Sequence, residues 1–328
     1  CILSSAPPNA APSSSYKEMK WGKSLWRVDG KVLELNDFII VADSLRFSEV
    51  NGRIVNLRLD QDILNAEIKK FRGKDSEGFE IVELDAVLNQ ESGLFTIGDL
   101  RLRTAIAEYK VNLSTNISPT NYQDLDGKSI TLGLDIKSNS LYEIESFFSL
   151  MDRYDFLSKD LMNGGFKLHS QISGDLNNLN IEHFNFLYSD SLQIIARGII
   201  KELMEPDSQE MEFQFDRLMI PKSLLEIAWD KLITDSSFSV PDYLLVDGVY
   251  NSSKAEHNFS GNIESNAGEI KVQQASANLG SIPDYNLRAS ANLLHLHTIQ
   301  DIDLDNIAFR MNARFKGENI FTADAFID

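Results

Sequence analysis

The groups in this sequence that could bind a metal or move a proton are few: five histidines, His169, His183, His257, His295 and His297, and one cysteine, Cys1. If their segment is a strand, His295 and His297 share one face at a spacing two metal ligands can use. No third ligand matches that spacing, because Asp301 and Asp303 lie past a turn, and the pair reads as a solvated strand. The run Asp301-Ile302-Asp303-Leu304-Asp305 resembles half of a calcium loop but lacks the glycine and the closing glutamate. The chain contains no Gly-x-Ser-x-Gly, no Gly-x-Gly-x-x-Gly, no phosphate-loop lysine and no His-Glu-x-x-His. The expectation is therefore a protein that is not an enzyme, with no catalytic residue, no metal and no cofactor.

Cys1 heads a stretch rich in Pro and Ser, Ile2 to Ser15. It is a candidate lipidation site on a flexible tether, although a cut in a longer chain gives the same first residue. The far end, Phe321 to Asp328, stops in mid-alternation, as an interior segment would. The densest basic run, Ile68-Lys69-Lys70-Phe71-Arg72-Gly73-Lys74, reads as a polar turn beside a strand or as a contact for anionic lipid head groups.

The elements that must position any site are set by composition and period. Asp and Glu number 49 against 31 Lys and Arg, a net charge of -18 over 328 residues, which leaves no general surplus for phosphate backbones and argues against nucleic acid. With 43% hydrophobic residues the chain should fold. No run of about 18 apolar residues is present to cross a bilayer as a helix. From Val28 onward, segments of seven to ten residues alternate apolar and polar between Asn, Asp, Gly and Ser clusters, the period of half-buried strands.

Two interruptions take the helical period. Leu141 to Met162 places Leu141, Ile144, Phe147, Phe148 and Met151 on one side behind the capping pair Ser140 and Glu143, and Lys222 to about Leu232 follows Pro221. The expected organisation is a leader over 1–20, β segments over 21–139, 165–221 and 234–328, a helical insertion over 140–164 and a short helix over 222–233. The alternating apolar residues with clear phase are Leu57, Leu59, Leu132, Leu134, Ile136, Phe166, Leu168, Phe213, Phe215, Ile270, Val272, Leu287, Leu293, Phe309, Met311 and Phe315. Phase alone leaves a sandwich core, a barrel and a long curled sheet open.

Three local patterns resemble the TamB and AsmA-like family of bacterial envelope proteins, in its Bacteroidota form. They are Ser76-Glu77-Gly78-Phe79 leading into a leucine-alternating strand and Asp99-Leu100-Arg101-Leu102-Arg103-Thr104; Ser173-Gly174-Asp175-Leu176-Asn177-Asn178-Leu179; and Val240-Pro241-Asp242-Tyr243 through Gly248, with Tyr285-Asn286-Leu287 beyond. The resemblance spans roughly Trp21 to Asp328. It implies an elongated antiparallel sheet curled into an apolar groove, a β-taco, with the sixteen residues above as its lining. It further implies a periplasmic location with an inner-membrane anchor outside this chain, phospholipid acyl chains as cargo and a BamA-type outer-membrane barrel as partner. Two rival functions are a scaffold that accepts client strands at its sheet edges and a lipoprotein sandwich held by Cys1.

Overall fold

A computed structural model describes residues 2–4, 28–42, 45–60, 63–75, 79–116, 128–141, 163–175, 177–189, 191–203, 208–226, 240–254, 256–278, 284–294, 307–316 and 324–327. The chain divides into two units, Cys1–Glu143 and Ile144–Asp328, a division inside the expected 140–164 insertion. The first unit holds β1 (Ile2–Ser4), β2 (Val28–Ala42), β3 (Leu45–Asp60), β4 (Ile63–Asp75), β5 (Glu80–Glu91), β6 (Leu94–Arg103), β7 (Ala107–Thr115) and β8 (Ile130–Ser138). The second holds β9 (Phe166–Asp175), β10 (Asn178–Tyr188), β11 (Leu192–Lys201), β12 (Glu210–Pro221), β13 (Tyr243–Ser253), β14 (Glu256–Ser265), β15 (Gly268–Asn278), β16 (Asp284–Leu294), β17 (Ile307–Lys316) and β18 (Asp324–Ile327).

Within each unit every strand pairs antiparallel with its neighbours in chain order. Among the described residues the first and last strands of neither unit pair with each other, so neither closes into a barrel. The protein is mainly β, as its period-2 segments predict.

The helices account for little. Leu141 is a turn residue, and the rest of the expected helix through Met162 lies outside the described residues. Residues 222–226 form one helical turn directly after β12, with Leu225 buried, and the remainder to Leu232 is outside the described set. Of the expected leader, Ile2 to Ser4 pairs with Ile39 to Val41 of β2, and 5–20 lies outside. No described helix is long and apolar enough to cross a membrane.

The turns show why consecutive strands pair. Ser92 and Gly93 form a two-residue loop between β5 and β6 with φ of 53° and 80°, positive at both positions as the turn that matches strand twist requires. Between β9 and β10 the Asp175 carboxylate accepts the backbone N–H groups of Asn177 and Asn178, each at 2.9 Å, which closes the hairpin with a side chain.

Bulges interrupt many of the ladders. Pairing shifts between Ile68 and Phe71 in β4, Ile97 and Leu100 in β6, Ile181 and Phe184 in β10, Phe215 and Leu218 in β12, and Ala291 and Leu294 in β16. Each extra residue bends its strand, raises the local twist and resets which residues share a face.

Candidate functional site

Pairing carries the apolar face of the second unit from strand to strand. Leu168, Phe186, Ile194, Leu218, Val246, Ile263, Ile270, Ala291 and Phe309 are successive cross-strand partners, one from each strand of β9 to β17. A second row, Ser170, Phe184, Ala196, Phe215, Gly248, Gly261, Val272, Ala289 and Met311, runs beside it over the same strands. A third joins Ile172, Ile181, Gly198, Phe213, Tyr250, Phe259, Ala275, Leu287 and Ala313. At about 4.8 Å per strand, eight intervals make each row roughly 38 Å long.

Large and small side chains divide the work on this face. Ser170, Ala196, Ala289, Ala291 and Ala313 are buried, whereas Phe184, Phe186, Ile194, Phe213, Phe215, Leu218, Ile263 and Phe309 remain half-exposed. Large residues lean over small ones. A Cβ added at Gly198 would lie 2.7 Å from Cδ1 of Phe213, and one at Gly248 would lie 2.9 Å from Cε2 of Phe259. The Phe213 and Phe215 rings stack at 6.3 Å between centroids, the Phe184 and Phe186 rings at 6.5 Å, and Phe166 sits 5.9 Å from Phe186. These spacings fall in the range of favourable aromatic pairs. Among the described residues these aromatic side chains are shielded at least in part, none fully exposed.

The first unit repeats the arrangement. Phe71, Leu84, Leu102, Tyr109 and Ile136 pair in succession across β4 to β8, and Ala66, Leu88, Ile97, Leu113 and Leu132 do so beside them. Leu134 stands opposite Val111, Leu59 opposite Val28 and Leu64, and Leu57 opposite Gly30.

All of the phase-selected residues of the first unit thus share one face. In the second unit Phe166 is opposite Tyr188, Leu168, Ile270 and Phe309 stand in the first row, Phe215, Val272 and Met311 in the second, and Phe213 and Leu287 in the third. Phe315 pairs with Tyr285, and its side chain lies outside the described set. At β16 the register irregularity puts Leu294, rather than Leu293, opposite Ile307.

The reverse face is richer in polar and charged residues, with the apolar Leu187, Ile195, Ile199, Met219, Leu245 and Val249 interspersed among them in the second unit, and in the first unit it carries rows of charged residues. Glu83, Arg103, Glu108 and Lys137 are successive partners over β5 to β8, and Asp85, Arg101, Lys110 and Asp135 form the next row. Arg103 Nη2 approaches Glu83 Oε2 at 2.8 Å, and Lys201 Nζ approaches Glu210 Oε2 at 3.0 Å, which raises the Lys201 pKa. The Glu67 carboxyl is held below its usual value, first by the hydrogen bond from Asn56 Nδ2 at 2.7 Å and then by Lys69. Partial desolvation and then Glu264 raise the Tyr243 phenol.

The histidines are scattered. His169 and His183 lie on the polar face opposite Asn185 and Gln171, with ring centroids 5.4 Å apart. His257 Nδ1 lies 2.7 Å from the Tyr250 hydroxyl, and His295 and His297 fall outside the described residues. No group of three or more potential metal ligands occurs among the described residues.

Phe184, Phe186, Ile194 and Leu218 also belong to the apolar face and escape a strict period-2 reading, whereas Val246, Tyr250, Phe259 and Ile263 join it in plain alternation along β13 and β14. Each bulged strand changes phase part-way: Leu179 and Ile181 are odd-numbered, Phe184 and Phe186 even, and all four point to one side. In β11 both Ile194 and Ile195 are apolar, so alternation chooses neither. The signal that finds them is a doubled polar pair such as Glu182-His183 or Asp216-Arg217 inside an otherwise alternating run.

Fold and site together define an open antiparallel β protein whose units each carry one apolar, partly exposed face and one face richer in polar and charged residues. Comparison with known protein families, with curated proteins and with solved structures finds no match.

Proposed function

We propose that the apolar faces shield phospholipid acyl chains and that the protein acts as a lipid-conducting segment of the TamB and AsmA-like kind in the bacterial envelope. The observation that carries this reading is the uninterrupted apolar row across β9 to β17, whose large side chains remain half-exposed. Covering such a face with a chain of methylenes gains about 0.8 kcal/mol for each methylene removed from water. Bulges that bend the strands support a face curled into a groove, and sites of nearly equal depth along a row suit cargo that slides. The more polar reverse face stays in water, so lipid has one side to occupy.

On this reading the protein works in the periplasm, beside a BamA-type barrel as partner, and moves lipid without a chemical step. Native mass spectrometry with lipid extraction, on protein purified from a bacterial host, tests it. Phospholipid bound in stoichiometric amount is the expected result. A lipid-free protein that remains monomeric and soluble would mean that the apolar face closes on itself, and the reading would be abandoned.

A further inference from the structure

A recess of about 470 Å³ opens on the polar side of the first unit, where β2 to β5 run together. That volume is within the roughly 300–1,000 Å³ typical of small-ligand sites. Its lining includes three cations, Arg53, Lys70 and Arg72, against two carboxylates, Glu34 and Glu83. In a chain of net charge -18 this is a local reversal of sign.

The carboxylates near the recess are already engaged. Glu83 is held by Arg103 at 2.8 Å, Asp85 accepts the backbone N–H of Lys70 at 2.6 Å, and Glu34 lies 3.7 Å from Nε of Arg53. Neither Lys70 nor Arg72 has an ion-pair partner among the described residues, although neighbouring Lys69 is paired with Glu67 at 3.1 Å.

Three bulged positions flank the recess, of a kind that also occurs elsewhere in the unit at Asn56 and Asp99. Asp37, Glu49 and Lys70, on three successive strands, take left-handed φ values of 57°, 54° and 52°, each at or within two residues of a lining position. Non-glycine residues rarely adopt this region, and such positions gather where a side chain is re-aimed for use. Asn51 fastens two of them, its Oδ1 accepting the N–H of Asp37 at 3.3 Å and its Nδ2 donating to the Glu49 carbonyl at 2.7 Å.

We propose that this recess binds a phosphate-type oxyanion, free or carried on a lipid head group. Arg72 offers a planar fork that matches two oxygens, and Lys70 adds a mobile point charge. The inference stands on the polar face and is independent of whether the apolar face holds acyl chains.

The test uses the full chain with two probes, inorganic phosphate followed by calorimetry, and flotation with phosphatidylglycerol-containing vesicles against pure phosphatidylcholine vesicles. The variant Lys70→Gln with Arg72→Gln should weaken binding by at least about tenfold. Glu34→Gln, which removes a nearby negative charge, should strengthen it several-fold. Arg101→Gln with Lys110→Gln, the same charge loss elsewhere on the same face, should leave it unchanged. Loss of phosphate binding in the first variant assigns a site for free phosphate. Loss of vesicle binding alone assigns the head group as the source. Absence of binding to both probes by the wild type, unchanged binding in the first variant, or equal loss in the control pair would overturn the proposal.

Discussion

Phe213 and Gln214 are adjacent in β12 and point to opposite faces, so one added carboxylate can be placed on either side of the same strand. Phe213 stands opposite Gly198 and Tyr250 on the apolar face, and Gln214 accepts from Arg197 Nη2 at 2.9 Å on the polar one. Full burial of a Phe side chain contributes about 1.5–3 kcal/mol, so half-exposed Phe213 contributes roughly 1 kcal/mol to folding. Phe213→Glu should therefore fold, with a modest loss in urea unfolding. An acyl chain crossing this position would lose the ring and meet a carboxylate whose dehydration without a partner costs several kcal/mol. A penalty of even 1.4 kcal/mol is tenfold in occupancy. Phospholipid per protein, measured by extraction and native mass spectrometry, should fall at least about tenfold in Phe213→Glu and stay at the wild-type level in Gln214→Glu. Equal retention by both variants, or equal loss from both, would sink the assignment of the apolar face as the lipid surface.

Three further outcomes follow from the geometry. Gly248→Ala would put a Cβ 2.3 Å from the backbone oxygen of Ser260 at a φ of 155°, and should cost about 2 kcal/mol or more in chemical unfolding. Arg103→Ala breaks an ion pair whose partners are 58% and 39% exposed, and should change stability by no more than about 1 kcal/mol. Glu67 has its carboxyl pKa lowered on folding, so its stabilising contribution is present above the ordinary value of 4.5 and is lost as pH falls through the lower folded value; in Asn56→Ala an NMR titration of Glu67 should move back toward 4.5.

The strand content was legible because β7 and β8 alternate without interruption, and Leu132, Leu134 and Ile136 keep one phase throughout. Phase was lost wherever a bulge inserts a residue. Phe213 and Phe215 could be read from alternation, but Leu218, three residues on and facing the same side, could not. The cationic recess was half legible: the basic run 68–74 stands out in the sequence, but its relation to Arg53 and Glu34 depends on register across β2, β3 and β4. Likewise the sign alternation of Glu83, Arg103, Glu108 and Lys137 is a property of pairing that no single segment contains.

A sheet that pairs only chain neighbours depends on each interface to hold its own register, because no described strand returns to lock a distant one. Two devices do this on opposite faces. On the polar side Glu83, Arg103 and Glu108 face one another in this register, and each opposite-charge pair contributes about 0.2–1 kcal/mol toward holding it. On the apolar side Phe213 and Phe215 stand opposite Gly198 and Gly248, and a shift would drive a ring against a larger side chain. A one-residue slip is worse, since it turns the whole apolar set to the more polar face. The glycines and alanines in the rows therefore help set register and make room for the large side chains that lean over them. The partial exposure of the rings beside them is thus a by-product of how the sheet keeps its strands aligned.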